Sequence, residues 1–409
     1  KNMSNSRPTN TSPPSTAVVL AAGEGTRLRP LTANRPKPML PAGTRPILEY
    51  VLNAIIEAEI DEIHLVVGYQ ANRVRSHFGS TYRGVPLEYH TQEAQLGSGH
   101  ALLQARGGPD GSFLVVNGDQ VIDDRMITAV RDQHDNQAAT LAVVEGPEAP
   151  AYGAVRLNDG RITTFVEQPQ TRDFRLFNGG VYAFDQTIFE TLEELSVDRG
   201  SLPLTDGIDQ LLDDDQTVMG VRSDTFWMDA THPWDLLALS QELLNRGWID
   251  TPKSNSETDI YVDDSANVHP DATLVGPVVL DGDVVVEAGA VVGPYAAVGT
   301  NTTIGAGTVL SDVVVDTGTT IGPNSTAIEF VAGQDCTIGA DFTVSGGPAD
   351  VVLNETVYAD IDLGGVLADR VTTGGATTLA AGALVGPDAT IGHGVVVRDR
   401  ITAGSEVVR

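Results

Sequence analysis

The second half of the sequence repeats one pattern, an aliphatic residue followed directly by glycine. Successive pairs are mostly 6 or 17 residues apart, and valine, threonine and alanine dominate between them. Helical periodicity is absent from this region. A six-residue period indicates short strands that turn the corners of a triangular coil, with an aliphatic side chain filling the axis at each turn. The pairs are Val275-Gly276, Val292-Gly293, Val298-Gly299, Ile304-Gly305, Ile321-Gly322, Ile338-Gly339, Val385-Gly386 and Ile391-Gly392.

This pattern resembles the hexapeptide-repeat family of left-handed β-helices, and it extends over about 140 residues. The resemblance implies a left-handed parallel β-helix at residues 260–409. Proteins of that family usually trimerise along the helix axis. The resemblance therefore also implies a homo-oligomer, either a trimer or a dimer of trimers.

Residues 17–249 show a different pattern, in which continuous apolar runs alternate with helical segments such as residues 46–60. Continuous apolar strands separated by helices predict an α/β Rossmann-like domain with a mostly parallel sheet covered on both faces. Ligands bind such sheets at the carboxyl ends of the strands. The loop that begins near residue 22 and the residues around 118 lie at such ends. The apolar runs are 17–22, 63–68 and 112–119.

Two polar segments border these domains. Residues 250–259 read as a linker, and the proline-rich residues 1–16 read as a disordered leader without the apolar core of a signal peptide. No apolar run is long enough to span a membrane. We therefore expect a soluble cytoplasmic protein with no membrane partner.

The formal net charge is −30, and the acidic residues are spread along the whole chain. Such a charge argues against a nucleic-acid partner, because binding phosphates needs a basic surface. Dispersed carboxylates favour a halophilic protein, since salt screens their mutual repulsion. Lysine occurs only as Lys1, Lys37 and Lys253. The single cysteine, Cys336, excludes an internal disulfide and predicts a small buried residue.

The loop after the first predicted strand combines glycine with basic side chains. Gly23 and Gly25 leave the backbone N–H groups open to phosphates, and Arg27 and Lys37 supply positive charge. A dinucleotide-binding G-x-G-x-x-G motif would need glycine where Leu28 stands, which argues against an oxidoreductase. A tight turn without a ligand is the alternative interpretation.

The run L-x-x-G-x-G-T-R-L-x-P-L-T, followed by K-P, resembles the signature of the sugar-1-phosphate nucleotidylyltransferases. The family includes N-acetylglucosamine-1-phosphate uridylyltransferases and glucose-1-phosphate thymidylyltransferases. The resemblance implies that the backbone around Ala22 and Gly23 meets the nucleotide. It also implies that Arg27 binds the β- and γ-phosphates. Lys37 would stabilise the negative charge that develops at the α-phosphate.

Residues 91–101 resemble the base-binding segment of the uridylyltransferases. The resemblance pairs Gln92 with a pyrimidine and places Gly97 and Ser98 under the base, which favours UTP over dTTP. The alternative is a glycine-rich helix start capped by Ser98. The implied nucleotide-binding residues are Leu20, Ala22, Gly23, Gly25, Gln92, Gly97 and Ser98.

Two aspartates match the metal ligands of the family. Asp119 ends a buried apolar strand, and Asp229 lies in the run FWMDATHPWDLL. Mg²⁺ prefers one or two carboxylates together with phosphate oxygens and water. The resemblance thus implies a Mg²⁺ cofactor held by Asp119 and Asp229.

The sugar end of the site is implied by three further matches, at Gly153, Glu167 and Asn178. Carboxylate and amide side chains suit neutral hydroxyl groups. Thymidylyltransferase-like members often carry lysine where this chain has Gln168. Either Arg172 or Arg175 replaces that charge, or the sugar phosphate is bound more weakly.

The predicted reaction transfers a nucleotidyl group, UMP in the favoured case, to a sugar-1-phosphate and releases pyrophosphate. It needs no enzyme nucleophile, because positioning and charge neutralisation suffice. The implied partners are therefore a nucleoside triphosphate and a sugar-1-phosphate. The implied catalytic residues are Arg27, Lys37, Asp119 and Asp229.

Two alternatives remain. A bifunctional enzyme would also acetylate glucosamine-1-phosphate with acetyl-CoA, but the expected histidine base falls at residues 325–333, where Ala327 and Phe330 stand. Asn301 or His393 would have to replace it. The other alternative is a catalytically silent regulatory subunit, which the presence of all the implied catalytic residues opposes.

Overall fold

The computed structural model describes residues 13–146, 152–167, 169, 173–196, 200–251 and 258–408. These residues form two compact units that interleave along the chain. The first unit contains the chain up to Gly23 and Leu48–Met228, and the second contains Glu24–Ile47 and Asp229–Arg409. The signature loop is therefore divided directly after Gly23. The predicted leader up to residue 12 and residues 252–257 of the predicted linker lie outside the described residues.

The elements up to residue 246 alternate between strands and helices, as their apolar pattern predicts. The helices are α1 (Ile47–Glu57), α2 (Ala71–Phe78), α3 (Ser98–Leu103), α4 (Asp124–Gln133), α5 (Thr187–Ser196), α6 (Leu204–Asp213) and α7 (Asp235–Arg246). The strands are β1 (Thr16–Ala21), β2 (Pro41–Ala42), β3 (Arg45–Pro46), β4 (Glu62–Val67), β5 (Thr81–Tyr82), β6 (Val85–Thr91), β7 (Phe113–Asn117), β8 (Gln120–Ile122), β9 (Ala139–Glu145), β10 (Ala154–Asn158), β11 (Arg161–Val166), β12 (Leu176–Phe184), β13 (Val218–Ser223) and β14 (Trp227–Asp229).

The first unit is built on a ten-stranded sheet with the order β10-β11-β13-β9-β12-β7-β1-β4-β6-β5. Its strands β6, β4, β1 and β7 are parallel neighbours, and Val19 of β1 lies opposite Leu65 on one side and Val116 on the other. All of β1 is buried, as expected for a strand covered on both faces. The predicted Rossmann-like α/β fold is confirmed.

The rest of this sheet is mixed, because β12 runs antiparallel to both β7 and β9. The hairpin between β10 and β11 turns at Asp159-Gly160, whose φ angles are 49° and 79°. Two positive φ angles define the turn that suits the twist of a two-residue hairpin, and Asp-Gly is a preferred sequence for it. This pair is a sequence signal for the antiparallel part of the sheet.

The described strands of the β-helix are mostly two or three residues long. They are β15 (Ile260–Val262), β16 (Asn267–Val268), β17 (Thr273–Leu274), β18 (Val278–Leu280), β19 (Val285–Val286), β20 (Val291–Val292), β21 (Ala296–Val298), β22 (Thr303–Ile304), β23 (Val309–Val315), β24 (Thr320–Ile321), β25 (Thr326–Ala332), β26 (Thr337–Ile338), β27 (Thr343–Val344), β28 (Pro348–Leu353), β29 (Thr356–Asp362), β30 (Gly365–Leu367), β31 (Thr372–Thr373), β32 (Thr378–Leu379), β33 (Ala383–Val385), β34 (Thr390–Ile391), β35 (Val396–Val397) and β36 (Glu406–Val407).

Strands of successive coils pair in parallel, and the register gives the length of each coil. Val285 lies opposite Thr303, 18 residues on, and Thr303 lies opposite Thr320, 17 residues on. Three sides of about six residues make such a coil. Ile304, Ile321 and Ile338 stack in the core at 0–2% exposure. The parallel coils are those of the predicted left-handed β-helix. Val275 departs from the pattern and is 37% exposed.

An antiparallel hairpin interrupts the coils. Strands β28 and β29 pair with Leu353 opposite Thr356, and the turn residues Asn354 and Glu355 have φ angles of 47° and 66°. The register consequently jumps from Thr337 to Thr372, 35 residues, before the regular coil resumes. The repeat pattern did not predict this hairpin.

None of the helices in the described part of the chain combines the length and the apolar character needed to cross a lipid bilayer.

Candidate active site

Within the second unit, the signature loop turns back on itself at Gly25. Its φ is 70°, and a Cβ at this position would lie only 2.7 Å from the Cβ of Lys37. The Gly25 carbonyl accepts hydrogen bonds from Leu28 N (2.9 Å) and Thr32 Oγ1 (2.8 Å). A residue with a side chain would be strained and would also clash here, so Gly25 is required by the conformation of the loop.

Lys37 begins a short 3₁₀ helix, Lys37–Met39, and its side chain is 10% exposed. Its Nζ forms an ion pair with Oδ1 of Asp229. The other oxygen of Asp229 accepts a hydrogen bond from Thr231 Oγ1 at 3.1 Å. The fold of the second unit thus brings together two of the predicted catalytic residues, which are 192 positions apart in the chain.

The two exposed arginines of the loop differ in their surroundings. Arg27 lies in the 3₁₀ helix Thr26–Leu28 with its side chain exposed. Arg29 forms an ion pair with Glu24. Arg27 therefore lies on the surface of the second unit, accessible to an anionic ligand.

Arg35, two residues before Lys37, is a functional neighbour that the motif analysis missed. It is 1% exposed, and its guanidinium lies 2.5 Å from Asp316 Oδ2 and 3.1 Å from Asp369 Oδ1. Both aspartates follow strands of the β-helix, β23 and β30, and both are buried. The chain segment that carries Lys37 is thereby attached to the β-helix by a buried ion triad.

The inserted hairpin contacts the same neighbourhood of the second unit. Asn354 at its turn donates from Nδ2 to the carbonyl of Thr26 at 3.4 Å. Tyr358 packs its ring 4.7 Å from that of His232 and 5.3 Å from that of Trp234. The hairpin therefore touches the loop beside Arg27 and the segment that follows Asp229.

In the first unit, the signature loop leaves β1 beside two neighbouring strands. The Leu20 carbonyl accepts from Gly118 N at 2.9 Å, and the Ala22 carbonyl accepts from Gln95 Nε2 at 2.9 Å. A Cβ at Gly118 would lie 3.0 Å from Leu20 O, so the close approach of these strands requires glycine. At Gly23 a Cβ would meet no described atom within 4 Å, which leaves its backbone open.

Gln92 is buried, and its amide nitrogen is used within the segment. Nε2 lies 3.0 Å from Gly97 O and 3.0 Å from His100 Nδ1. These two contacts use both amide hydrogens, so Oε1 is the atom of Gln92 left to accept a hydrogen bond from a base. Gly97 has a φ of 99°, and a Cβ there would lie 2.5 Å from Leu202 O.

Ser98 does not cap its own helix, contrary to the alternative interpretation of this segment. Helix α3 begins at Ser98 with Gly97 as its N-cap, and no side chain caps it. The Ser98 Oγ instead accepts a hydrogen bond from Leu204 N at 2.9 Å. Leu204 is the first residue of α6, whose leading N–H groups need an acceptor. Ser98 therefore satisfies the start of a different helix, which sequence spacing could not indicate.

Asp119 lies between β7 and β8 and is half-buried. Tyr182 is buried, and burial is the main reason that its pKa is raised. The negative charges of Glu167 and Asp119 raise this pKa further. The charges of both Asp119 and Glu167 therefore act on the buried ring of Tyr182.

The three predicted sugar-binding residues form one cluster in the first unit. Asn178 N donates to Gly153 O at 2.8 Å, and a Cβ at Gly153 would lie 3.4 Å from Glu167 Oε2. The Asn178 side chain is held by Tyr182 OH at 2.5 Å and by Gly180 N at 3.0 Å. An amide held by two hydrogen bonds beside an exposed carboxylate suits the recognition of hydroxyl groups.

Burial, and then the neighbouring charge of Asp206, raise the pKa of Glu167. The candidate replacements for the missing lysine are only partly visible. Gln168 and Arg172 lie outside the described residues, whereas Arg175 is exposed.

Asp119 in the first unit and Asp229 in the second each carry a carboxylate, the ligand type that Mg²⁺ prefers. Asp229 already shares its charge with Lys37 and one oxygen with Thr231. An ion at Asp229 would consequently share this carboxylate with the lysine.

The positions considered for acetyl transfer are occupied by structural residues. Ala327 and Phe330 lie in the β-helix core at 1% and 0% exposure. His393 is exposed, and its Nδ1 accepts a hydrogen bond from Gly375 N at 2.9 Å. Asn301 is a corner residue with a φ of 58°.

The fold is an α/β domain followed along the chain by a parallel β-helix. Residues 16–246 match the nucleotidyl transferase family, and residues 274–374 match the GMPPB C-terminal domain. Because the first match covers more than half of the chain, the chain belongs to the nucleotidyl transferase family. Its relatives place it among the sugar-1-phosphate nucleotidyltransferases.

Three curated relatives illustrate the range of that group. Bifunctional protein GlmU of Methanococcus maripaludis S2 is 36% identical over 234 residues, 56% of this chain and 54% of that protein. The UTP–glucose-1-phosphate uridylyltransferase AglF of Haloferax volcanii is 34% identical over 56% of this chain and 96% of that protein. The mannose-1-phosphate guanylyltransferase of Mycobacterium tuberculosis is 32% identical over 64% of this chain and 74% of that protein. The match thus spans about half the length of the GlmU relatives.

A solved structure shows the same fold in the first part of the chain. A putative glucose-1-phosphate thymidylyltransferase from Bacillus anthracis superimposes with a TM-score of 0.53 at 23% identity. It covers 58% of this chain and 97% of the other.

Proposed function

We propose that this protein transfers UMP from UTP to a hexose-1-phosphate, with glucose-1-phosphate as the first candidate. The observation that carries the proposal is the ion pair between Lys37 and Asp229, two motif residues far apart in sequence. AglF, a relative of which 96% is covered, is named for UTP and glucose-1-phosphate. The resemblance of residues 91–101 to uridylyltransferases also supports UTP.

The proposed reaction is an in-line displacement. A phosphate oxygen of the sugar-1-phosphate attacks the α-phosphorus of UTP, the bond from that phosphorus to the bridging oxygen breaks, and pyrophosphate leaves. Lys37 stabilises the charge that develops on the α-phosphate, and the exposed Arg27 binds the β- and γ-phosphates. Mg²⁺, held by Asp119 and Asp229, would supply further neutralisation of the phosphates.

The pairing of Asp229 with Lys37 has a role in this scheme. A lysine that is nearly buried needs a counter-charge before the substrate arrives. Asp229 supplies that charge and limits the side-chain positions of Lys37. The lysine is therefore oriented in advance, which lowers the cost of positioning it in the transition state.

We assign base recognition to Oε1 of Gln92, because the N–H groups of that amide are used by Gly97 and His100. The N3–H of uracil is a suitable donor. At the sugar end, Asn178 and Glu167 bind hydroxyl groups beside the backbone of Gly153.

The test is pyrophosphate release in molar KCl with Mg²⁺, using UTP or dTTP with glucose-1-phosphate, N-acetylglucosamine-1-phosphate, galactose-1-phosphate or mannose-1-phosphate. We expect strong release with UTP and glucose-1-phosphate. Preference for dTTP would overturn the choice of nucleotide. Silence across the panel in a folded sample would favour a regulatory subunit.

Asp119→Asn provides the matching mutational test. Removing one carboxylate charge from the metal set should lower turnover by at least about 10³-fold while the fold persists. Asp132→Asn is the control, because Asp132 is an exposed aspartate of α4 paired with Arg131. Undiminished turnover in Asp119→Asn would remove Asp119 from the site.

A further inference from the structure

Strands β4 and β6 bring two imidazoles and a carboxylate together. The strands pair in parallel with His64 opposite Glu88, and His90 lies two residues further along β6. His64 Nδ1 is 2.9 Å from His90 Nε2. The Glu88 carboxylate reaches both rings, at 3.8 Å from His64 Nδ1 and 3.7 Å from His90 Nε2. None of these residues belongs to the proposed transferase site.

The partners on the far side of each ring indicate where its proton lies. Glu62 Oε1 is 3.5 Å from His64 Nε2, and Glu62 is itself held by Thr16 Oγ1 at 2.9 Å. Glu62 does not hydrogen-bond to His64 Nε2, but its nearby negative charge favours the proton on that nitrogen. His90 makes a hydrogen bond to the backbone of Gln104. We assign this bond to His90 Nδ1, since Nε2 faces His64.

With these protons in place, the two neutral rings direct lone pairs at each other across 2.9 Å. A metal cation beside the two nitrogens would satisfy both lone pairs, whereas without one a ring must take its other tautomer and donate to its neighbour. The ring of His64 is only 1% exposed, so it is enclosed by the protein.

We propose that His64, His90 and Glu88 form a binding site for a divalent transition-metal ion of the zinc type. Two imidazoles and one carboxylate are the protein ligands of many open zinc sites, with water in the fourth position. The Glu88 side chain is 63% exposed, so solvent can reach that position. Nitrogen ligands select zinc, cobalt or nickel over Mg²⁺, which prefers oxygen.

The surroundings fit such a site in two further respects. The carboxylate of Glu62 lies behind His64 at 3.5 Å without a hydrogen bond to it, the side on which metal-bound imidazoles commonly have a carboxylate partner. The ligands are also carried by neighbouring strands of one sheet, which hold their backbones in a constant register. Closing the ligand set around an ion would need a rotation of the exposed Glu88 side chain and a slight separation of the two ring nitrogens.

The experiment uses the full chain, freed of metal by a chelator and exchanged into molar KCl. Co²⁺ is titrated while its visible ligand-field absorption is recorded, because four- and five-coordinate Co²⁺ absorbs far more strongly than the hydrated ion. We expect one strongly absorbing Co²⁺ per chain, displaced by an equimolar amount of Zn²⁺. A large excess of Mg²⁺ should leave the signal unchanged, which separates this site from the Asp119–Asp229 pair.

Three variants decide the assignment. His90→Gln and Glu88→Gln should weaken Co²⁺ binding by about 100-fold or more, since each removes a direct ligand, and Glu62→Gln should weaken it by about 10-fold. His77→Gln is the matched control, because His77 also lies near a carboxylate, Glu49 at 3.5 Å, but outside the cluster. Glu88 and Glu62 are exposed, so their variants should fold. Absence of the absorption band, or equal binding by His90→Gln and His77→Gln, would overturn the proposal and leave an ordinary histidine pair.

Discussion

Arg35 and Lys37 are neighbours in one loop, yet their charges are used differently. Arg35 is 1% exposed and is shared between Asp316 and Asp369 of the β-helix. Lys37 is 10% exposed and has a pairing with Asp229, a residue that the resemblance places in the catalytic set. Arg35 is fixed in the interior of the second unit, whereas Lys37 retains some access to solvent.

The difference shows how a fold can position the cation that we propose for catalysis without burying it completely. A buried guanidinium between two carboxylates is costly to desolvate, but the hydrogen bond of Arg35 to Asp316 and its ion pair with Asp369 define its position. Because Lys37 is only two residues from Arg35, fixing Arg35 also restricts the backbone position of Lys37. Within one loop, Arg35 thus fixes the backbone, and Lys37 is the residue proposed to act on the substrate.

The largest expected effect separates the two roles by activity. Lys37→Met removes the cation proposed to act at the α-phosphate, and kcat/KM for the UTP reaction should fall by about 10³-fold or more. The urea unfolding midpoint should fall as well, because the Asp229 side chain is only 12% exposed and loses its cation, and the hydrogen bond from Thr231 offsets only part of that cost. Arg29→Met is the control in the same loop, since Arg29 is 44% exposed. If both variants lose activity equally, Lys37 has no special role.

The next effect concerns stability. Arg35→Met leaves two buried carboxylates without their cation and should destabilise the protein by about 3–5 kcal/mol in urea denaturation. Arg370→Met is the matched control, because Arg370 pairs with Asp388 at an exposed site of the same unit. We expect that control to cost about 1 kcal/mol or less. Equal losses in the two variants would contradict a structural role for the burial of Arg35.

A compensated variant sharpens the comparison further. Asp316→Asn and Asp369→Asn, combined with Arg35→Met, remove the uncompensated charges while the amide oxygens still accept from Thr317 N and Gln334 N. The triple variant should recover about 2 kcal/mol of the stability lost in Arg35→Met. No recovery would show that the guanidinium contributes through packing and not through charge.

The smallest effect concerns a carboxylate surrounded by like charges instead of a cation. Burial, followed by the charges of Asp213, Asp206 and Glu167, raises the pKa of Asp209 to about 6. Ionised Asp209 therefore lowers stability at pH 8, and the cost disappears as the pH falls through about 6 towards 4.

Asp209→Asn should accordingly stabilise the protein by about 1 kcal/mol at pH 8, a value reduced for the partial exposure of the carboxyl group. The gain should vanish at pH 4. Urea denaturation of both proteins at the two pH values measures it, with Asp132→Asn as an exposed control. A gain that does not depend on pH would contradict the raised pKa.

Most of the fold could be predicted from regular patterns in the sequence. The aliphatic–glycine pairs predicted the β-helix, because each coil repeats the same local requirement at its corner. The apolar runs predicted β1, β4 and β7 for a similar reason. The inserted hairpin was missed, since its strands PADVVL and TVYADID interrupt the repeat without a preferred turn pair such as Asn-Gly between them. The only trace in the sequence is the gap between Ile338-Gly339 and Val385-Gly386.

The motif located Lys37 and Asp229, and the structure places them in contact. The motif could not show that Arg35 is buried whereas Arg27 is exposed. The partner that buries Arg35, Asp316, is 281 residues away in the sequence. The histidine pair on β4 and β6 was also missed. His64 and His90 become neighbours only through the pairing of the two strands.

The distance between Arg35 and its partners has a consequence for synthesis on the ribosome. Arg35 leaves the ribosome 281 residues before Asp316. At about 5–20 residues per second, the nascent loop waits roughly 15–55 s before the first counter-charge exists. The signature loop is therefore made well before the strands that hold Arg35, and it reaches its final environment only after them. A nascent chain released before that point would carry the catalytic motif on a loop without its anchor.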